Sequence, residues 1–331
     1  MKKNIWAELP KPIKVLAPME DVTDTAFRRI IAECGRPDLF FSEFTSVEGL
    51  MSAGKDAVIH RLEFTAIEKP IIAQIWGLKP EKYREASELV ADMGFDGIDI
   101  NMGCPVAKIV KNGACSALID NPSLAQEIIL ATKEGSKGLP VSVKTRLGVR
   151  QNKTESWFSF LLGLNLAAIT VHGRLAKDMS EKPARWDEVT KVVQLRNQIN
   201  PATIIIGNGD IQNLSDLRDK MNMTGADGGM VGRAALFNPL FFNPEEVHIK
   251  DMLREHKIGL LIKHLELAGS RWGMNSSLGV MKKFSGVYLV AFDGASTLRQ
   301  KILDMRSIGD ALACLKESIQ EHLITSNAST N

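Results

Sequence analysis

Between residues 13 and 231, eight short apolar, β-branched runs alternate with longer amphipathic segments, and this alternation limits the possible folds more than anything else in the chain. The runs cover residues 13–16, 39–43, 71–75, 97–100, 141–145, 168–171, 203–206 and 229–231. They are predominantly apolar, as expected of strands covered on both faces. The intervening stretches, such as 81–93, 124–134 and 186–196, carry helical spacing. Two show start signals. Asn121-Pro122-Ser123 offers a side-chain cap followed by a proline in the first turn, and a second start lies at Asp24-Thr25-Ala26. Short strands joined by helical crossovers pair in parallel and need helices on the outside. Eight repeats of that unit predict an α/β chain forming a (β/α)8 TIM barrel.

After Phe237-Asn238-Pro239 the pattern changes. Residues 252–267, 278–290, 295–303 and 308–319 show only helical spacing, which predicts a small all-helical domain. The expected organisation is a barrel over 1–242, a helical domain over 243–324 and a polar, disordered tail over 325–331. A 44% hydrophobic content supports a large core, and no apolar run approaches the length of a membrane span. The first residues carry lysines without the apolar stretch of a signal peptide, and the four cysteines show neither disulfide-like nor metal-ligand spacing. A cytoplasmic, reduced protein without a metal is expected.

Net charge is only +2, so any nucleic-acid partner must be held by local patches. One candidate lies between Arg254 and Arg306, where nine basic residues face four acidic ones. An ordinary solvated helix surface gives the same bias.

The residues that follow the strands are polar or glycine-rich: Ala17-Pro18-Met19-Glu20, Gln74, Asn101-Met102-Gly103-Cys104-Pro105, Lys144-Thr145-Arg146, His172-Gly173-Arg174, Gly207-Asn208-Gly209-Asp210 and Gly232-Arg233. In a parallel barrel these positions form one mouth, where active sites sit. Gly207, Gly209 and Gly232 let backbone N–H groups approach a phosphate, which barrels commonly bind after strands seven and eight, and Arg233 adds a charge there. Lys144 suits the pyrimidine edge of a flavin, and Gln74 can donate to and accept from the ring. Taken singly, Cys104 reads equally well as a buried thiol and Asn208-Gly209-Asp210 as a plain turn.

Together these segments resemble the bacterial tRNA-dihydrouridine synthases, closest to the B-type branch. The resemblance rests on Ala17-Pro18-Met19, Val22-Thr23-Asp24, Phe27-Arg28, Asp99 through Val106, Lys111-Asn112-Gly113-Ala114, Val143 through Gly148, Val171 through Arg174, Gly207 through Asp210, and Gly232-Arg233. In the helical segment Met281-Lys282-Lys283 and Leu298-Arg299-Gln300-Lys301 are similar to that family's RNA-binding domain. The resemblance implies FMN held by Pro18, Met19, Glu20, Gln74, Lys144, His172, Asn208, Gly209, Asp210, Gly232 and Arg233. It implies Cys104 as the catalytic acid, with Asn101, Arg146 and Arg174 on the substrate side of the site. Lys282, Lys283, Arg299 and Lys301 become candidate tRNA contacts. NADPH (or NADH) would re-reduce the flavin at the same site, since no separate Rossmann fingerprint is present. The partner implied is tRNA, with no membrane and no protein partner, the chain acting as a monomer.

Three places depart from the family pattern. Glu20-Asp21 replaces a small residue and Gly, Cys115 replaces a Gly, and the 175–183 loop lacks the usual Thr and Tyr. Two other readings compete. A flavin barrel acting on a free pyrimidine would have no use for the basic helical segment. A non-catalytic RNA-binding protein on a relict barrel would have no use for Cys104, Lys144 and His172 together.

Overall fold

The computed structural model describes residues 4–328, with side chains through residue 321. Its strands are β1 (Ile13–Leu16), β2 (Phe40–Phe41), β3 (Thr45–Ser46), β4 (Ile71–Trp76), β5 (Gly97–Met102), β6 (Val141–Arg146), β7 (Ala168–His172), β8 (Ile204–Asn208) and β9 (Gly228–Val231). Every ladder is parallel, in the order β1-β9-β8-β7-β6-β5-β4-β2, and a parallel bridge between Val15 and Leu39 joins the two ends. The result is a (β/α)8 barrel. The one irregular strand is the second, expected over 39–43 and found as β2 and β3, both paired with β4. Ser42 interrupts it: its hydroxyl accepts from Gln74 N–H at 3.1 Å and donates to its neighbour's carbonyl, Glu43 O, at 2.9 Å. A side chain thus replaces backbone pairing where the chain bends.

Side chains two residues apart on a strand share a face, and this divides the barrel interior into levels. Ile13, Val15, Leu39, Phe41, Ile72, Ala168, Ile204, Ile206 and Met230 form one buried cluster, with Trp6 packed into it. Further along the same faces come Gln74 two residues after Ile72, Asn208 two after Ile206, and Thr170 and His172 two and four after Ala168. The floor is therefore apolar and the mouth polar. Removing the floor's side chains from water stabilises the fold by about 1.5–3 kcal/mol for each large residue.

The outer helices begin where the sequence signals them. Asn121 Oδ1 accepts from Leu124 N–H at 3.3 Å, and Pro122 opens the helix Pro122–Gly135. Contacts divide the chain into two units. One contains Met1–Thr25 and Pro37–Ala234; the other contains Ala26–Arg36 and everything from Ala235 onward. The second unit thus includes most of the first barrel helix, Thr25–Cys34, a segment whose helical spacing alone places it in the barrel. The physical reason is the partner chosen by its apolar face: Phe27 stacks on Phe284 with ring centroids 5.4 Å apart and lies 5.8 Å from the His264 ring.

Besides Thr25–Cys34, the longer helices of that unit are Arg254–Trp272, Lys282–Tyr288, Ala295–Asp304 and Ile308–Ala328. The last extends four residues into the segment expected to be a tail, and residues 329–331 lie outside the described residues. His264 is fully buried at its centre, Tyr288 Oη sits 3.2 Å from Nδ1, and burial lowers the ring to about 3, so it is neutral at physiological pH. Among the described residues, no helix is long and apolar enough to cross a membrane.

Candidate active site at the barrel mouth

Strand register brings the polar residues of the mouth together. Gln74 on β4 lies beside Asp99 on β5, and Asp99 beside Ser142 on β6. One level higher, Asn101 is beside Lys144 and Lys144 beside Thr170; a further level up, Arg146 is beside His172. A continuous hydrogen-bonded network results. Ser142 Oγ donates to Asp99 Oδ1 at 2.6 Å, Gln74 Nε2 donates to Asp99 Oδ2 at 2.8 Å, and Asn101 Nδ2 donates to Gln74 Oε1 at 3.0 Å. Asn101 Oδ1 then accepts the backbone N–H groups of both Gly103 and Cys104, each at 3.0 Å. The loop carrying Cys104 is therefore held from deep in the barrel by side chains on three strands. Burial pushes the Asp99 carboxyl up to about 6, against the pull of its Ser142 and Gln74 hydrogen bonds. Every member of this network except the terminal backbone is buried, a setting in which a missing partner is costly.

Cys104 itself is half-buried. A hydrogen bond from the Cys115 thiol is the main influence lowering it, to about 7; burial opposes that shift. Cys115 keeps its own proton, its thiol being driven far up by the same contact and by burial. Lys144 is half-buried as well, and burial together with Arg146 lowers its ammonium to about 8. Two guanidinium groups brace the surrounding loops. Arg146 Nε donates to Gly103 O at 2.8 Å, and its Nη1 donates to Leu175 O at 3.0 Å and Met179 O at 2.7 Å. Arg174, 2% exposed, donates from Nε to Lys182 O and from Nη2 to Asp210, and its Nη1 lies 3.1 Å from His172 Nε2. Burial, together with the cations Lys144, Arg146, Arg174 and Arg233, holds His172 well below its ordinary value, so the ring is neutral. With Arg174 donating to Nε2, its proton sits on Nδ1.

On the β8–β9 side, Asn208 Nδ2 donates to Met230 O at 2.8 Å. Asp210 accepts from Ala184 N–H at 2.9 Å and pairs with Arg233 at 2.9 Å, so it steers Arg233 over the strand ends. Gly209 has φ 122°, a conformation that favours glycine. Gly207 has a different reason from the phosphate approach expected of it: a Cβ there would lie 2.4 Å from the Trp186 ring. Pro18, Met19 and Glu20 follow β1; Met19 N–H donates to Thr23 Oγ1 at 2.8 Å, and Glu20 pairs with Arg61 at 2.7 Å. Among the described residues there is no group of three or more His, Cys, Asp or Glu side chains placed to hold a metal.

Four contributors were not singled out in the sequence as site residues. Asp99 holds Gln74 and is itself held by Ser142, Cys115 contacts Cys104, and the buried Thr170 hydroxyl has no hydrogen-bond partner among the described residues. Three of them carried a signal: Asp99, Ser142 and Thr170 each stand two residues before Asn101, Lys144 and His172 on the same strand, hence on the same face.

The fold defines a class, the parallel (β/α)8 barrels. Morphinone reductase, solved in complex with tetrahydroNAD, shares the fold with TM-score 0.50 at 14% identity, covering 72% of this chain and 88% of that one. Histamine dehydrogenase from Rhizobium sp. 4-9 does so with TM-score 0.54 at 12% identity, covering 76% of this chain and 48% of that one. Within the class, the model of the family described as "Dihydrouridine synthase (Dus)" matches residues 15–324. The chain is 41% identical over 324 residues to a probable tRNA-dihydrouridine synthase of Staphylococcus aureus (strain MRSA252), covering 96% of each. It is 40% identical over 326 residues to probable tRNA-dihydrouridine synthase 2 of Bacillus subtilis (strain 168), covering 98% of this chain and 99% of that one. This chain belongs to the dihydrouridine synthase family.

Proposed function

We propose that this protein is a cytoplasmic, monomeric, FMN-dependent tRNA-dihydrouridine synthase that uses NADPH to saturate the C5–C6 bond of a uridine in the tRNA D-loop. The observation that carries the reading is the unfilled polarity of the mouth. Lys144 makes no hydrogen bond or ion pair among the described residues, although it is crowded enough for its ammonium to fall to about 8. Beside it the buried Thr170 hydroxyl is also without a partner. A planar group rich in acceptors, carrying negative charge when reduced, fits that donor set. Gln74, held by Asp99 and Asn101, keeps one N–H and one lone pair free for such a ring. Gly209, Asp210, Gly232 and Arg233 would take the phosphate, at the start of the short helix Arg233–Phe237, whose first N–H groups have no acceptors within the helix. Pro18, Met19 and Glu20 would line the ring from β1, with His172 and Asn208 between ring and phosphate.

When bound, reduced FMN supplies a hydride for C6 of the uracil. This chain's own residues do the rest. Cys104 holds a proton at Sγ for C5, and Asn101, through the Gly103 and Cys104 N–H groups, fixes where that sulfur stands. The free edges of Asn101 and Arg146 would meet the uracil carbonyls, with Arg174 organising the mouth around them. The base must be unstacked to enter, which is least costly in a loop. Domain roles follow: the barrel carries the chemistry, and the helical unit carries the tRNA grip through Lys283, Arg299 and Lys301. Lys282 is half-buried and donates to Leu303 O at 2.5 Å, so its ammonium is partly engaged.

The test is to purify the protein, read its flavin absorbance, and assay NADPH oxidation against tRNA from a strain lacking dihydrouridine. Turnover that requires such tRNA, with new dihydrouridine mapped to a D-loop position, supports the reading. A colourless protein, or NADPH oxidation indifferent to unmodified tRNA, defeats it.

A further inference from the structure

Cys115 has no part in the proposed chemistry, and its backbone is not one that a cysteine favours. It sits at φ 53°, in the left-handed region where glycine is the unstrained choice. It is fully buried, and its side chain lies close enough to Cys104 for each thiol to shift the other. The backbones meet as well: Ser116 N–H donates to Cys104 O at 3.4 Å, so the two cysteines flank one shared hydrogen bond. Cys104 is half-buried while Cys115 is fully buried, and the other two cysteines, Cys34 and Cys314, belong to the other unit.

We infer that Cys104 and Cys115 form a redox-reversible dithiol site, which closes to an intramolecular disulfide under peroxide and so protects Cys104 from irreversible oxidation. The steps balance. The Cys104 thiolate attacks one peroxide oxygen, the O–O bond breaks, water leaves and a sulfenic acid remains at Cys104. The Cys115 sulfur then attacks the Cys104 sulfur, the S–O bond breaks, and a second water leaves with the Cys115 proton. Two thiols lose two electrons and peroxide is reduced to two waters. A dithiol reductant reverses the change by exchange. The lowered thiol of Cys104 provides the thiolate for the first step, and its contact with Cys115 places the resolving sulfur before further oxidation can occur.

Loss of activity on oxidation depends on the reading of Cys104 as the acid; disulfide formation does not. The experiment therefore follows both. The full-length protein is treated with hydrogen peroxide, its free thiols are blocked, and it is digested with trypsin without reduction. Lys108 and Lys111 lie between the two cysteines, so trypsin separates them and only a disulfide keeps their peptides joined. The expected result is a joined Cys104–Cys115 peptide pair that dithiothreitol splits, with Cys34 and Cys314 still blockable. tRNA-dependent turnover should fall by about 100-fold or more and return with dithiothreitol. Cys115→Gly and Cys115→Ser, one relieving the backbone and one keeping a polar side chain, should both make the loss permanent, with sulfinic acid at Cys104. If the wild-type protein gives no joined peptide and carries sulfinic acid instead, the inference is wrong. A joined peptide with undiminished turnover would leave the dithiol standing and remove Cys104 from the chemistry.

Discussion

In the barrel, Asp99, Arg146 and Arg174 are almost without solvent contact, and each is held by hydrogen bonds to named partners. In the helical unit, Lys283 and Lys301 stand on the surface, with Arg299 half-buried beside them. One unit arranges its charges in a confined, low-dielectric mouth, where geometry sets their strength; the other displays them to solvent, where number and spacing matter more. The contrast is not absolute, because the helical unit also buries a cation. Lys257 is 1% exposed and donates to Lys250 O, Val290 O and Ala291 O at 2.7–3.2 Å, so it ties loops together and does not belong to an RNA-facing surface. A count of basic residues overstates what such a surface offers.

Breaking the barrel side should have the largest effect. Cys104→Ala is expected to lower dihydrouridine formation by about 100- to 10,000-fold, the range for losing a positioned acid, while flavin content and flavin reduction by NADPH persist. Uracil reduction near the wild-type rate would move the acid elsewhere. The helical side should respond next. Reversing Lys283, Arg299 and Lys301 to Glu should weaken tRNA binding by roughly 10- to 100-fold and flatten its salt dependence by about one unit of slope per lost phosphate contact, with flavin content and flavin reduction by NADPH in the absence of tRNA unchanged. Wild-type affinity and slope in a filter-binding titration would return these side chains to the status of a solvated face.

Lys144→Ala should lower flavin retention by about tenfold and shift the flavin potential downward, read by equilibrium dialysis and redox titration. The pH profile sharpens the same side. An acid must be protonated, so turnover should fall as pH rises through the Cys104 value of about 7. The Cys115 hydrogen bond is the main influence lowering that value, and Cys115→Gly should therefore move the falling limb to higher pH; an unmoved limb would show that this contact does not tune Cys104. A further effect concerns stability. Asp99 titrates at about 6 in the folded protein against 3.8 for a free aspartate. The native state therefore binds more protons in between, and stability falls as pH rises through that window, by up to about 3 kcal/mol. Asp99→Asn should remove that slope, as urea midpoints at pH 4 and pH 7 would show.

The division between what was readable and what was not follows the range of the forces involved. Eight strands, the direction of their pairing and the glycine and proline punctuation are local properties, visible as apolar runs and turn residues such as Asn121-Pro122. The sequence alone therefore determined the barrel, the mouth to which Cys104, Lys144 and His172 belong, and the helical character of the chain after residue 240. Partner choice required the tertiary structure. Phe27 lies in a segment that reads as an ordinary barrel helix, yet it stacks on Phe284, more than 250 residues later. Gly207 reads as a phosphate glycine until the Trp186 ring is found against it. Asp99 becomes the anchor of Gln74 and Ser142 only once strand register sets β4, β5 and β6 side by side, and Cys115 meets Cys104 only because the chain folds back after the short helix Ala107–Lys111. Hydrogen bonds and packing act over a few ångströms, so which residues they join is decided by the folded path of the chain.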